Sequence, residues 1–218
     1  MTRHDRTFLS FGVASALLYL AAVIADLAAL RLYSKAVPVL LLATWLWSRR
    51  ERDARLVVAG LLLSAVGDLC LEVSPQLFSG GLLAFLIAHI AYATAFIRRT
   101  RKPALTVALP IVATAILFFL WLRPHLGSMT FPVLLYVGVI SVMVWRAWAQ
   151  VVDSSLDRRV AWFAALGATS FFLSDMLVAY NSFLTPLLGL KLLLMPLYWA
   201  GQWGIAASVA ADETGRPT

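Results

Sequence analysis

Eight apolar runs constrain this chain more than any other feature: residues 8–30, 34–48, 56–73, 82–98, 104–122, 131–149, 159–181 and 188–210. Most reach the roughly 20 residues a helix needs to cross the hydrocarbon core of a bilayer. In that core every backbone N–H and C=O must be satisfied within the segment, and a helix does this. The runs predict an all-α, polytopic membrane helical bundle of eight transmembrane helices, a single domain over residues 1–218. Composition agrees: 13% of residues are charged, about half the fraction of a soluble domain. The first run follows Arg3 and Arg6 and is too long for the apolar stretch of a typical secretory signal, so an uncleaved first span is expected.

The net charge of +7 raises nucleic acid as a partner. The basic residues cluster between apolar runs, which is the pattern of topology signals and anionic headgroup contacts, so no nucleic-acid partner is expected. Alternating the eight spans puts fourteen of the eighteen Lys and Arg on one side, with Arg31, Lys35, Arg123 and Lys191 on the other. The positive-inside rule then predicts both termini in the cytoplasm. The expected location is a bacterial inner membrane. The single cysteine, Cys70, excludes an intrachain disulfide and a Cys-rich metal site.

Polar residues inside the runs carry the functional signal. A charged group in a spanning segment is costly and faces the bundle interior by default. Asp68 and Glu72 are four residues apart in span three and share a helix face. His89 and Tyr92 lie mid-span in span four. Asp175 and Asn181 lie in the outer part of span seven, and Tyr198 and Gln202 mid-span in span eight. Lys35 opens span two from the outer side, and Asp26 closes span one there. One chamber, open toward the non-cytoplasmic half, would satisfy all of them.

The two hairpins share a plan. Asp68 precedes Tyr92 by 24 residues, and Asp175 precedes Tyr198 by 23. Spans three and seven run in the same direction, so the spacing predicts two parallel four-helix repeats with the site between them. Gly67, Gly167 and Gly201 stand beside the polar positions, where small residues let helices approach closely. No nucleophile elbow, phosphate loop or dinucleotide fingerprint occurs in a suitable context. His89, Asp68 and Asp175 are three ligand-type residues, but there is no HExxH and no second histidine within a span. No metal or other cofactor is expected, and His89 reads as a hydrogen-bond partner or proton relay.

Four ordered motifs resemble the YhhN-type lysoplasmalogenase family. They are SxxGDxxLE (Ser64, Gly67, Asp68, Leu71, Glu72), FxxAHxxYxxxF (Phe85 to Phe96), GAxxFxxSDxLxAxNxF (Gly167 to Phe183) and YWxGQ (Tyr198 to Gln202). Lys35 with Pro38 resembles the family's lysine–proline element, with two residues intervening, and Pro132, Tyr136 and Met143 suit its sixth span. The resemblance implies an eight-span membrane hydrolase that cleaves the vinyl ether bond of lysoplasmalogens. The products are a fatty aldehyde and glycerophosphoethanolamine or glycerophosphocholine. The family's intramembrane aspartates map onto Asp68 and Asp175.

The residues suit that chemistry. A vinyl ether is hydrolysed by protonating its outer alkene carbon, which gives an oxocarbenium ion; water adds, and the hemiacetal collapses. A carboxylic acid and a nearby carboxylate serve this much as they serve glycosidases. One of Asp68 and Asp175 is expected as the acid and the other as the carboxylate. Glu72, His89, Tyr92, Asn181, Tyr198 and Gln202 are expected to support them, and Lys35 to hold the phosphate of the lysophospholipid as a point charge. The rival reading is a small proton- or cation-coupled transporter or lipid-handling protein, in which the carboxylates bind ions and the repeats rock about them.

Overall fold

The computed structural model describes residues 3–49 and 53–210. Among them are nine α-helices and no strand: α1 (Arg3–Ile24), α2 (Ala28–Lys35), α3 (Val37–Trp47), α4 (Ala54–Val73), α5 (Phe78–Arg99), α6 (Leu105–Leu122), α7 (Thr130–Val152), α8 (Arg158–Phe183) and α9 (Leu188–Ala210). The tail from Ala211 and the basic residues Arg50, Arg52 and Arg216 lie outside the described residues, as do the side chains of Arg3 and Arg6.

Seven segments are long and apolar enough to cross a membrane, and α2 with α3 form one of them. The eighth, α9, has 23 residues, about 35 Å of helix. Six of the eight expected runs match their helices closely; the first two need correction. Span one ends at Ile24 because the chain turns at Asp26, which takes a left-handed φ of 52° that a short polar residue tolerates. Span two therefore begins at Ala28 and is broken at Ala36, where Pro38 enters the first turn of α3 without an N–H to satisfy. Lys35 is the last residue of α2, inside the span rather than at its opening.

Both halves pack on one plan. In the first, α1 lies on α3, α3 on α4 and α4 on α5; in the second, α6 lies on α7, α7 on α8 and α8 on α9. The halves join reciprocally, with α5 against α7 and α9 against α3. Glycines set the closest approaches. A Cβ on Gly167 would sit 2.7 Å from the Ile205 backbone nitrogen, and one on Gly201 2.8 Å from that of Phe171. Ser170 and Ser174 add hydroxyl bonds to the Leu197 and Leu194 carbonyls, so α8 and α9 are fastened along their length. In α4, Gly60 makes room for the Tyr92 ring and Gly67 for that of Phe85. Large apolar residues such as Phe11, Leu109, Leu117 and Phe131 point outward, a surface suited to lipid and not to water.

The basic clusters do more than signal topology. Buried Arg146 donates to the carbonyls of Thr100 and Lys102, and Trp145 Nε1 to that of Pro103. Thr100 donates to Asp153 at 2.6 Å, and Lys102 pairs with Asp153 at 2.8 Å. The α5–α6 loop is thereby clasped to the end of α7. Asp153 lies outside the spans; its bond to Lys102, then those to Thr100 and Ser155, hold its carboxyl well below the usual carboxylate range.

Candidate active site

Asp68 sits in the last two turns of α4, buried, and accepts a hydrogen bond from the Tyr198 hydroxyl of α9 at 2.7 Å. Asp175 of α8 accepts one from the Tyr136 hydroxyl of α7 at 2.6 Å. Each uses only its Oδ2 atom; among the described residues nothing hydrogen-bonds either Oδ1. A carboxyl with one oxygen fixed and the other uncommitted can give or take a proton without losing its orientation.

Both aspartates line one cavity of about 960 Å³, counted out to its open mouth. Its polar lining includes Lys35, Asp68, Tyr136, Asp175 and Tyr198; its apolar lining comes from α5, α6, α7 and α8 and includes Leu82, Phe119, Val137 and Phe183. The cavity is therefore amphipathic, a largely apolar hollow that holds both carboxyl groups.

His89 of α5 is fully buried beside Asp175, with Nε2 3.7 Å from Asp175 Oδ2, too long for a hydrogen bond. Among the described residues Nε2 has no hydrogen-bond partner. The ring is caged by Phe171 at 4.6 Å and Tyr136 at 5.2 Å between centroids. Tyr92 is equally buried and donates to Gln202 Oε1 at 2.7 Å, with Ser64 Oγ 3.5 Å away. Ser64 lies one turn before Asp68 and Tyr198 one turn before Gln202. Asp68, Tyr198, Gln202, Tyr92 and Ser64 thus make a closed frame across α4, α9 and α5, with Asp68 the member that reaches the cavity along with Tyr198.

The remaining expected residues separate. Glu72 is not in the cavity lining; its carboxylate accepts from Lys35 at 3.2 Å, Arg31 at 3.0 Å and Tyr19 at 3.3 Å. Asn181 caps the α8–α9 loop by accepting from the Leu187 backbone N–H at 2.9 Å. Among the described residues, no three His, Cys, Asp or Glu side chains gather closely enough to hold an ion. Three participants carry no site role in the sequence reading: Tyr136, Tyr19 and Arg31. The signal for Tyr136 is a hydroxyl in the middle of an apolar run; the signal for Arg31 is its spacing of four from Lys35.

The comparisons with known proteins agree with the resemblance read from the motifs. The model of the YhhN family matches residues 30–209. The human protein named lysoplasmalogenase TMEM86B is 35% identical over 176 residues, which is 80% of this chain and 73% of that protein. Human lysoplasmalogenase TMEM86A is 37% identical over 168 residues, 76% of this chain and 68% of its own. A lysoplasmalogenase of Mycobacterium tuberculosis is 31% identical over 179 residues, 77% of this chain and 64% of its own. No solved structure matches.

Proposed function

This chain belongs to the YhhN family, and from that premise and its paired aspartates we propose that it is a membrane lysoplasmalogenase. It hydrolyses the vinyl ether of a lysophospholipid to a fatty aldehyde and a glycerophospho-alcohol. The observation that carries the reading is the shared cavity: two aspartates from distant parts of the chain, each steadied by a tyrosine, in one largely apolar hollow.

The mechanism follows from the bond to be broken. The alkenyl chain lies in that hollow, with its ether oxygen at the carboxyl groups. One aspartic acid protonates the outer alkene carbon, and positive charge develops on the carbon bonded to oxygen. The second carboxylate stabilises that cation and takes a proton from the attacking water. The hemiacetal then releases aldehyde and glycerol hydroxyl. Tyr136 and Tyr198 keep the carboxyls aimed, and His89 stands where it can return a proton to Asp175. The reading includes an orientation, both termini toward the cytoplasm, supported by the basic loops, and a location in the inner membrane of a bacterium.

The test is direct. Purified protein in detergent should release aldehyde from a lysoplasmalogen and not from the matching alkyl ether or ester lysolipids. Asp68→Asn and Asp175→Asn should each lower the rate about 10²- to 10⁴-fold, the usual contribution of general acid–base catalysis, while the melting profile stays cooperative. Full activity in either variant removes that residue from the mechanism. Turnover should persist with a chelator; loss of activity with rescue by zinc would replace the carboxyl mechanism.

A further inference from the structure

The sequence reading gave the substrate's phosphate to Lys35 alone; the inference here extends that site to a second cation and its counter-ion, and rests on the lysoplasmalogenase reading. We propose that Arg31 and Lys35, braced by the Glu72 carboxylate, form a binding site for the phosphodiester of the lysophospholipid.

Lys35 is the only cationic residue among those that line the cavity, and its side chain is only 9% exposed. Arg31 stands one turn earlier on α2 and reaches the same carboxylate. A lysine carries three N–H donors and an arginine five. Lys35 commits one to Glu72; Arg31 commits Nε to Glu72 and one Nη1 donor to Asp26 at 2.7 Å. Most donors on both cations therefore stay available to an anion. Arginine's planar fork matches two oxygens of a phosphate, and lysine adds a point charge.

Charge points the same way. Arg31 and Lys35 both meet Glu72, whereas Asp26, the second partner of Arg31, has a side chain 93% exposed to its surroundings. Asp68 also lies within electrostatic reach of Lys35; with Asp68 in its protonated form the two cations share one enclosed carboxylate, and a phosphodiester supplies the second negative charge. Glu72 acts as the fixed counter-ion that keeps both cations in place before substrate arrives, helped by the Tyr19 hydroxyl.

The distances fit a glycerol. Glu72 follows Asp68 by one turn of α4, about 6 Å along the axis. Three glycerol carbons separate the ether oxygen of a lysoplasmalogen from its phosphate, a similar reach. An ether held at Asp68 places the phosphate beside the cations that Glu72 holds.

The experiment compares kcat/KM for 1-alkenyl-glycerophosphocholine with that for 1-alkenylglycerol, the same vinyl ether without phosphate. The wild type should prefer the phospholipid by about tenfold or more, the effect of one hydrogen bond to a charged group. Arg31→Gln should bring that ratio down toward one, chiefly through KM, and Arg31→Lys, which keeps the charge and the partner for Glu72, should lower it part of the way. A ratio unchanged in both variants overturns the proposal, and so does a wild type that turns over both lipids equally, whether or not the variants fold. Competitive inhibition by inorganic phosphate without lipid discrimination marks a free-phosphate site and also overturns it. Aldehyde from neither lipid is a different failure, that of the vinyl ether reading itself.

Discussion

Tyr136 and Tyr198 perform the same service for two different carboxylates, each donating its hydroxyl to an Oδ2 atom. Removing one such bond leaves the aspartate in place with a wider range of rotamers and one fewer donor to its anionic form. Tyr136→Phe should therefore lower kcat about tenfold or more with little change in KM, which is the worth of a hydrogen bond to a charged group; steady-state aldehyde release measures it. A fall in KM-dependent binding alone would instead assign Tyr136 to substrate packing. Asp68 and Asp175 were legible as candidates because nothing apolar excuses a carboxylate within a span. Tyr136 was not, since a tyrosine's apolar body is at home anywhere in such a run. Arg31 was hidden for another reason: as the first cation after span one, it counted as a loop charge, whereas α2 carries it inside span two, against Glu72.

At the scale of elements, α8 and α9 are fitted backbone to backbone, and Gly167 is among the tightest points of the fit, facing Gly204 and Ile205. Gly167→Ala should cost about 1–3 kcal/mol, the usual penalty for overpacking, and lower the melting temperature in detergent. Gly138→Ala is the contrast, because a Cβ there meets no atom within 4 Å; it should melt as the wild type does. Equal melting of the two variants would mean that α9 slides to accommodate the methyl group. The sequence predicted six of the spans well because hydropathy reports directly on the solvent a helix meets. It missed the breaks at Asp26 and Ala36 because an apolar run reads the same whether it continues or turns, and only the left-handed φ and the restart at Pro38 mark the change.

For the molecule as a whole, the α5–α6 loop closes the first half onto α7 through Asp153. Its carboxyl is held below the usual range by Lys102 first, so this linkage contributes stability above about pH 4, the unfolded carboxylate value, and loses it as pH falls through the lower folded value. Asp153→Asn should lower the melting temperature at pH 7 and flatten the decline below pH 4; parallel wild-type and variant curves across that range would show that the clasp does not titrate with Asp153. The matched order of helix contacts in the two halves accompanies the matched spacing of Asp68–Tyr92 and Asp175–Tyr198, whereas the choice of partners was not legible in the sequence. Each aspartate is steadied from the far side of the chain or the neighbouring helix: Asp68 takes Tyr198 from α9, and Asp175 takes Tyr136 from α7. Biosynthesis feels this directly. A polypeptide that has left the ribosome only as far as α5 carries Asp68 without the tyrosine that steadies it, so under the proposed mechanism an unfinished copy in the membrane would be silent toward lipid until its last helix has been inserted.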